Sequence, residues 1–313
     1  MLTWRYHLLS LAAVFLALAL GVLIGISLSD SGSVNTGQSG LVNNIQHDLD
    51  NLRNQNNALS QERGINLRYQ EDSFPYLVGS QLQGKRIAVV ASDGAGGDIQ
   101  RTLASAIHGA GGQVVSTTVL NYKFDPAAVL SRVQSDLKSD PQYARVDNSS
   151  LIPTLSQEMA KEIGKSGGNR TLAALQGVLV DSSSGRYDQP VDAVVLITRA
   201  DDNQTPAYSD LEKAFLQDLG GLAVPVVGAE ASDAPRSEIP LFQSLDVSSV
   251  DNIDSRIGQV SLVYVLAGEK GAFGIKPTAD MLIPILRAPR TAAPGATQPQ
   301  TPAQPAAATT PAP

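Results

Sequence analysis

The chain has 313 residues, enough for one large domain or two ordinary ones, and its composition of 42% apolar and 5% aromatic residues predicts a mostly aliphatic core. Twenty-three Lys and Arg against 30 Asp and Glu give a net charge of −7, which argues against a nucleic-acid binder and against a polybasic grip on a membrane surface. There is no cysteine, so disulfides, thiolate zinc sites, iron–sulfur clusters and a Cys nucleophile are excluded together.

Residues 8–28 (LLSLAAVFLALALGVLIGISL) carry no charge. Such a helix is about 30 Å long, the thickness of a bilayer's hydrocarbon core. Arg5 precedes it and Asp30 follows it. The positive-inside bias then puts residues 1–7 in the cytoplasm and everything after Asp30 outside. The competing reading is a cleaved secretory signal, whose best processing site is the weak Ser27-Leu28-Ser29. Both readings put the body of the protein outside the cytoplasm. Gly21 and Gly25 have the G-x-x-x-G spacing that lets two membrane helices approach closely, although glycine is common in such helices anyway.

Residues 29–40 (SDSGSVNTGQSG) have the composition of a flexible linker. Residues 41–72 then read as a stalk with heptad spacing. Val42, Ile45, Leu49, Leu52, Asn56 and Leu59 fall at alternate a and d positions. Asp48 at g and Arg53 at the next e are placed to pair across a parallel dimer, and a single Asn at a favours in-register pairing. The seam lasts about three heptads, so a helix packed on its own domain is the alternative.

Residues 74–287 have the texture of an α/β domain with a parallel, Rossmann-like layered sheet. Residues 86–91 read as a buried strand, 92–97 as a Gly-rich turn, 99–107 as a helix and 113–120 as a second strand. That order is a βαβ unit. Residues 125–185 read as helices and loops, including 126–139, 154–163 and 170–176. Residues 192–198 are a third strand, 208–219 an amphipathic helix and 224–228 a fourth strand. Residues 260–266 (VSLVYVL) are strand or buried helix by periodicity alone. Residues 288–313 contain seven Pro in 26 positions and should be disordered or extended.

The turn Asp93-Gly94-Ala95-Gly96-Gly97 sits where dinucleotide phosphates bind, but the third glycine of that fingerprint would fall at Ile99. Asn121 stands where the ribose-binding acid belongs. A plain tight turn is the simpler reading. Polar residues gather at the expected carboxyl ends of strands: Asp93, Asp98, Arg199, Asp201, Asp202 and Glu230. These ends form the usual ligand crevice, and carboxylates there suit hard cations, although loops are polar in any case. No Ser-His-Asp set can be assembled, and no catalytic residue is assigned. The three histidines are His7, His47 and His108, and the methionines beyond the first are Met159 and Met281. His7 lies beside Trp4 and Tyr6 as an interfacial residue or as a metal contact shared between subunits. His7, His47 and Met281 are the weak candidates for metal.

The block His7-Leu8-Leu9-Ser10-Leu11-Ala12-Ala13-Val14-Phe15-Leu16-Ala17-Leu18-Ala19-Leu20-Gly21-Val22-Leu23-Ile24-Gly25 resembles the start of the mycobacterial copper transport protein B family. The resemblance continues through Leu82-x-Gly84-Lys85-Arg86-Ile87-Ala88-Val89-Val90, Gly109-Ala110-Gly111-Gly112, Val250-Asp251-Asn252-Ile253-Asp254, Gly258-Gln259-Val260 and Gly271-Ala272-Phe273-Gly274. It covers roughly residues 4–287. The resemblance implies a non-enzymatic role in copper efflux and homeostasis at the cell envelope, with an outer-membrane location and copper as the transported ion. No family metal ligand maps onto a position here. The partners expected are the membrane, further copies of this chain through Ile45, Leu49, Leu52, Asn56 and Leu59, and other envelope proteins. The rival reading is a membrane-anchored scaffold, and an external enzyme using the Asp93/Asp201 crevice is a third.

Overall fold

A computed structural model describes residues 3–30 and 33–286, so the expected disorder of residues 288–313 lies outside the described residues. The chain divides into two units, Met1–Tyr69 and Gln70–Pro313.

The first unit is helical. Helix α1 spans Thr3–Asp30 and contains the apolar run Tyr6–Ser27, 22 residues with mean hydropathy 2.7. Its large side chains are exposed, among them Leu9 at 75% and Leu23 at 71%. Helix α2 runs from Ser33 to Val78. Residues 33–40, expected as a flexible linker, are therefore its first turns. Helix propagation is cooperative, so a long helix extends through poor formers at a cost of about 1 kcal/mol per Gly. The expected stalk, residues 41–72, is the middle of this one helix. Arg53, expected to reach a partner, bonds Asp50 three residues back at 3.2 Å.

In the second unit the last turns of α2 bury Phe74 and Val78, and Leu82 follows them into the core. Then come β1 (Arg86–Ser92), α3 (Gly97–Gly109), β2 (Gln113–Leu120), α4 (Pro126–Arg132), α5 (Leu151–Gly164), α6 (Arg170–Ala174), β3 (Val180–Gly185), β4 (Ala193–Thr198) and α7 (Pro206–Gly221). They are followed by β5 (Val226–Glu230), α8 (Ile239–Ser244), β6 (Ser248–Val250), α9 (Arg256–Ala267) and β7 (Ala272–Phe273). The sheet order is β3-β2-β1-β4-β5-β6-β7. All neighbours are parallel except β2 and β3.

The expected βαβ unit is β1-α3-β2. The region 125–185, expected as helix and loop, ends instead in the antiparallel edge strand β3. Its sequence Val-Asp-Ser-Ser-Ser-Gly has one apolar residue, because an edge strand faces solvent and needs no buried pattern. The helix expected over 126–139 changes to a π-helical turn at Val133–Leu137. Residues 260–266 lie in helix α9. Ser255 caps it by accepting from Gly258 N, Gly268 ends it at φ 116°, and every residue from Gly258 to Leu266 is buried. A helix buried all round is apolar all round, which erases the periodicity that separates it from a strand.

Strand alternation divides the core between the two faces of the sheet. Ala88, Val90, Val194 and Leu196 pack with α5 and α7 through Leu155, Met159, Leu211 and Phe215. Ile87, Val89, Val195 and Ile197 pack with α3 and α9 through Leu103, Ile107, Leu262 and Val263. Each fully buried aliphatic side chain contributes about 1.5–3 kcal/mol. Both faces are therefore covered, as a parallel sheet requires, and the loops at its carboxyl edge are what remain for function.

Candidate functional site

The chain grows from β1 outward to β2, and then restarts on the other side of β1 with β4. Loops leaving the carboxyl ends of β1 and β4 must part there, which makes this the switch point where open α/β sheets bind ligands. Asp93 begins a short 3₁₀ turn after β1, and Gly96 at φ 72° leads into α3. Arg199 follows β4 directly.

A residue that the sequence did not single out, Tyr122, closes this crevice. Its ring lies against Gly94, where an added Cβ would meet Cε1 at 3.1 Å. Its backbone N–H donates to Asp93 at 3.3 Å, and its hydroxyl donates to Asp201 at 3.2 Å. The glycine turn thus accommodates an aromatic ring. Burial, followed by the charge of the Asp93 carboxylate, pushes the Asp181 carboxyl above its ordinary value. Asp181 belongs to the unforeseen strand β3, which is why it escaped the sequence reading.

The other expected crevice residues separate. Asp98 pairs with Arg101 on the exposed start of α3. Arg199 pairs with Asp233 at 2.8 Å, and this bond holds the Asp233 carboxyl below its usual range. Asp202 is exposed. Glu230 is not at the rim. It is fully buried and accepts from Ser237 Oγ at 2.6 Å, Glu238 N at 2.9 Å and Lys276 Nζ at 2.5 Å. Three donors around one carboxylate form a structural clamp, so Asp93 and Asp201 are the expected residues that the fold brings together, through Tyr122.

The soft-ligand candidates are dispersed. His7 lies on α1 and His47 on α2, both exposed, and His108 is exposed in the last turn of α3. Met159 is buried in the aliphatic core, where methionine commonly fills gaps. Met281 is 49% exposed beside β7. Among the described residues no three His, Asp or Glu side chains are grouped to hold a metal ion. On α2, Ile45, Leu49, Leu52 and Leu59 are 46–65% exposed, and Asn56 is exposed among them.

The model of the family described as "Copper transport outer membrane protein, MctB" matches residues 1–284, spanning α1, α2 and the layered domain. The chain belongs to this family. Proteins named copper transporter MctB from Mycobacterium tuberculosis and Mycobacterium bovis are 25% identical over 320 residues, covering 88% of this chain and 96% of theirs. The resemblance drawn from the N-terminal block and the Gly-rich segments is thereby shown. Family membership and the apolar helix α1 together support a membrane location.

Proposed function

We propose that the protein acts in copper efflux and copper homeostasis at the cell envelope, as a transport factor and not as an enzyme. The observation that carries this reading is the family match, which extends from the apolar helix through the whole layered domain. Helix α1 is the anchor, residues 1–7 are cytoplasmic and the layered domain is extracytoplasmic, in keeping with Arg5 before the span and Asp30 after it. Copper is the cargo. The exposed stripe Ile45, Leu49, Leu52, Asn56 and Leu59 joins two copies of α2 in parallel. The experiment is deletion of the gene and complementation with the full chain. Loss of copper tolerance with raised cell-associated copper, both restored by complementation, is the expected result. Unchanged tolerance and unchanged copper content on deletion would overturn the proposal.

A second reading, an envelope scaffold, is favoured by one observation: the candidate soft ligands are scattered, with Met159 sealed in the core. Under that reading deletion disturbs the envelope under several unrelated stresses, and copper has no special effect.

A further inference from the structure

At the carboxyl edge of the sheet the Tyr122 ring fills the switch point, and the room for a ligand lies at the opposite edge. There a half-open cleft of about 470 Å³ forms where β1, β4, β5 and β6 begin and α9 ends. That volume falls within the range of small-molecule sites, roughly 300–1,000 Å³. The cleft takes no part in the copper reading. Its walls are fixed by the fold. The Lys85 N–H donates to the Leu82 carbonyl at 2.9 Å, and the Lys85 carbonyl accepts from Gln113 N at 2.8 Å. Ala223, after α7, keeps a left-handed backbone at φ 52°, which an alanine holds only where its surroundings impose it.

The chemistry of the ligand follows from the charged groups that line the cleft: Lys85, Asp192, Asp246, Glu269 and Lys270. Asp192 is already matched, since it accepts from Arg86 N at 2.8 Å and pairs with Arg86 Nε at 3.5 Å. Glu269 is engaged as well. Lys85, Lys270 and Asp246 form no ion pair among the described residues. Two ammonium groups against one carboxylate leave one positive charge without a counter-ion, and Lys85 is half-buried. The end of α9 does not supply that counter-charge in full, because Gly268 N and Glu269 N donate to the Val265 and Tyr264 carbonyls at 3.0 Å each. Ser248 Oγ accepts from Gly271 N at 3.2 Å, which leaves its O–H to donate. Alongside these donors, Pro225, Val226 and Ala267 line the cleft with accessible apolar surface.

We propose that this cleft binds a small organic monocarboxylate with an apolar body. Lys85, Lys270 and the Ser248 hydroxyl hold the carboxylate, and the hydrocarbon lies on Pro225, Val226 and Ala267. A single negative charge balances the unpaired groups, whereas a dianion would leave a surplus beside the Asp246 carboxylate. An ammonium ligand would add a further positive charge to the two lysines. The apolar wall selects against small inorganic anions, which gain nothing from it.

The test is thermal unfolding of the full chain in detergent at neutral pH. Sodium phenylbutyrate is titrated against its neutral amide and against phenylbutylamine hydrochloride, at equal ionic strength. The expected result is a midpoint that rises with phenylbutyrate concentration and does not respond to the amide or the amine. Lys85→Met and Lys270→Met each remove a charged hydrogen bond and raise the concentration needed for half the shift about tenfold. Ser248→Ala raises it about threefold. Asp246→Asn removes the repelling charge and lowers it. Lys270 is exposed, so Lys270→Met decides the matter if Lys85→Met does not fold. No shift with phenylbutyrate at millimolar concentration overturns the proposal. So does an equal shift with the amide, a larger one with the amine, or an unchanged half-shift concentration in the lysine variants.

Discussion

Replacing Lys276 by Met cuts the only charged contact to the fully buried Glu230 carboxylate among the described residues and leaves the aliphatic stem in place. Removing one partner of a buried ion pair typically costs about 3–5 kcal/mol, because the remaining charge is stranded. Here Ser237 and the Glu238 backbone N–H still donate to Glu230, at 2.6 and 2.9 Å, so the expected loss is at the lower end, about 3 kcal/mol. Lys276 Nζ also donates to the Ala231 carbonyl at 3.3 Å, a bond worth about 1 kcal/mol at most. The double variant Glu230→Gln/Lys276→Met has no stranded charge, and its amide oxygen can accept from Glu238 N while its amide N–H donates to Ser237 Oγ, which takes the acceptor role. It should lie within about 1–2 kcal/mol of the wild type, more stable than Lys276→Met alone. The assay is urea unfolding of the full chain in detergent at constant pH, followed by circular dichroism, with equal slopes required for comparison. The reasoning fails if Lys276→Met costs under about 0.5 kcal/mol, or if the second substitution adds to the loss instead of relieving it.

The wild type should lose stability as pH rises. The folded state holds the Glu212 proton up to about pH 8 against 4.5 in the unfolded chain, a difference of roughly 4–5 kcal/mol. That contribution is complete below about pH 4.5 and is lost through pH 8, and Glu212→Gln should flatten the profile over this window. Asn56→Val should raise the stability of self-association while loosening the choice of oligomer, as read by sedimentation of the full chain; a monomeric wild type at micromolar concentration would refute the α2 seam. Protease added to intact protoplasts should remove the layered domain, and protection until the membrane is permeabilised would reverse the proposed topology. A strain complemented with His7→Ala, His47→Ala, His108→Ala, Met159→Leu and Met281→Leu combined should keep its copper tolerance, since Cu(I) prefers thiolate and thioether ligands that this chain barely offers. Loss of tolerance with the variant folded and correctly localised would show direct metal binding.

The strands buried on both faces were legible because a parallel sheet writes continuous apolar runs, as in Arg86-Ile87-Ala88-Val89-Val90-Ala91 and Ala193-Val194-Val195-Leu196-Ile197. Strands β3, β6 and β7 were not, being polar or only two to three residues long. The apolar span of α1 is written in composition alone. Glu212 could have been found. Tyr208, Leu211, Phe215, Leu216 and Leu219 set the inward stripe of α7, and Glu212 falls on it by helical spacing. A carboxylate at a core position is a signal of unfinished chemistry. Tyr122 had no such signature, because its role depends on a meeting with Gly94 and Asp201 that only the strand order creates. Glu230 misled for the opposite reason. Its place at a strand end suggested the rim, while Lys276, 46 positions later, folds back and draws it inward.

The two margins of the sheet bear on how copies of this chain could meet. At one margin β3 carries a run of serines and stops at Gly185, whose φ of 94° turns the backbone out of the extended form. At the other, β7 is two residues long, with Gly271 and Gly274 at positive φ on either side. Neither offers a foreign strand a straight row of donors and acceptors long enough to zip against. Strand exchange and edge-to-edge growth are thus discouraged at both ends. Crowding such domains on an envelope surface would then bring them together by helix faces, with the sheets kept apart.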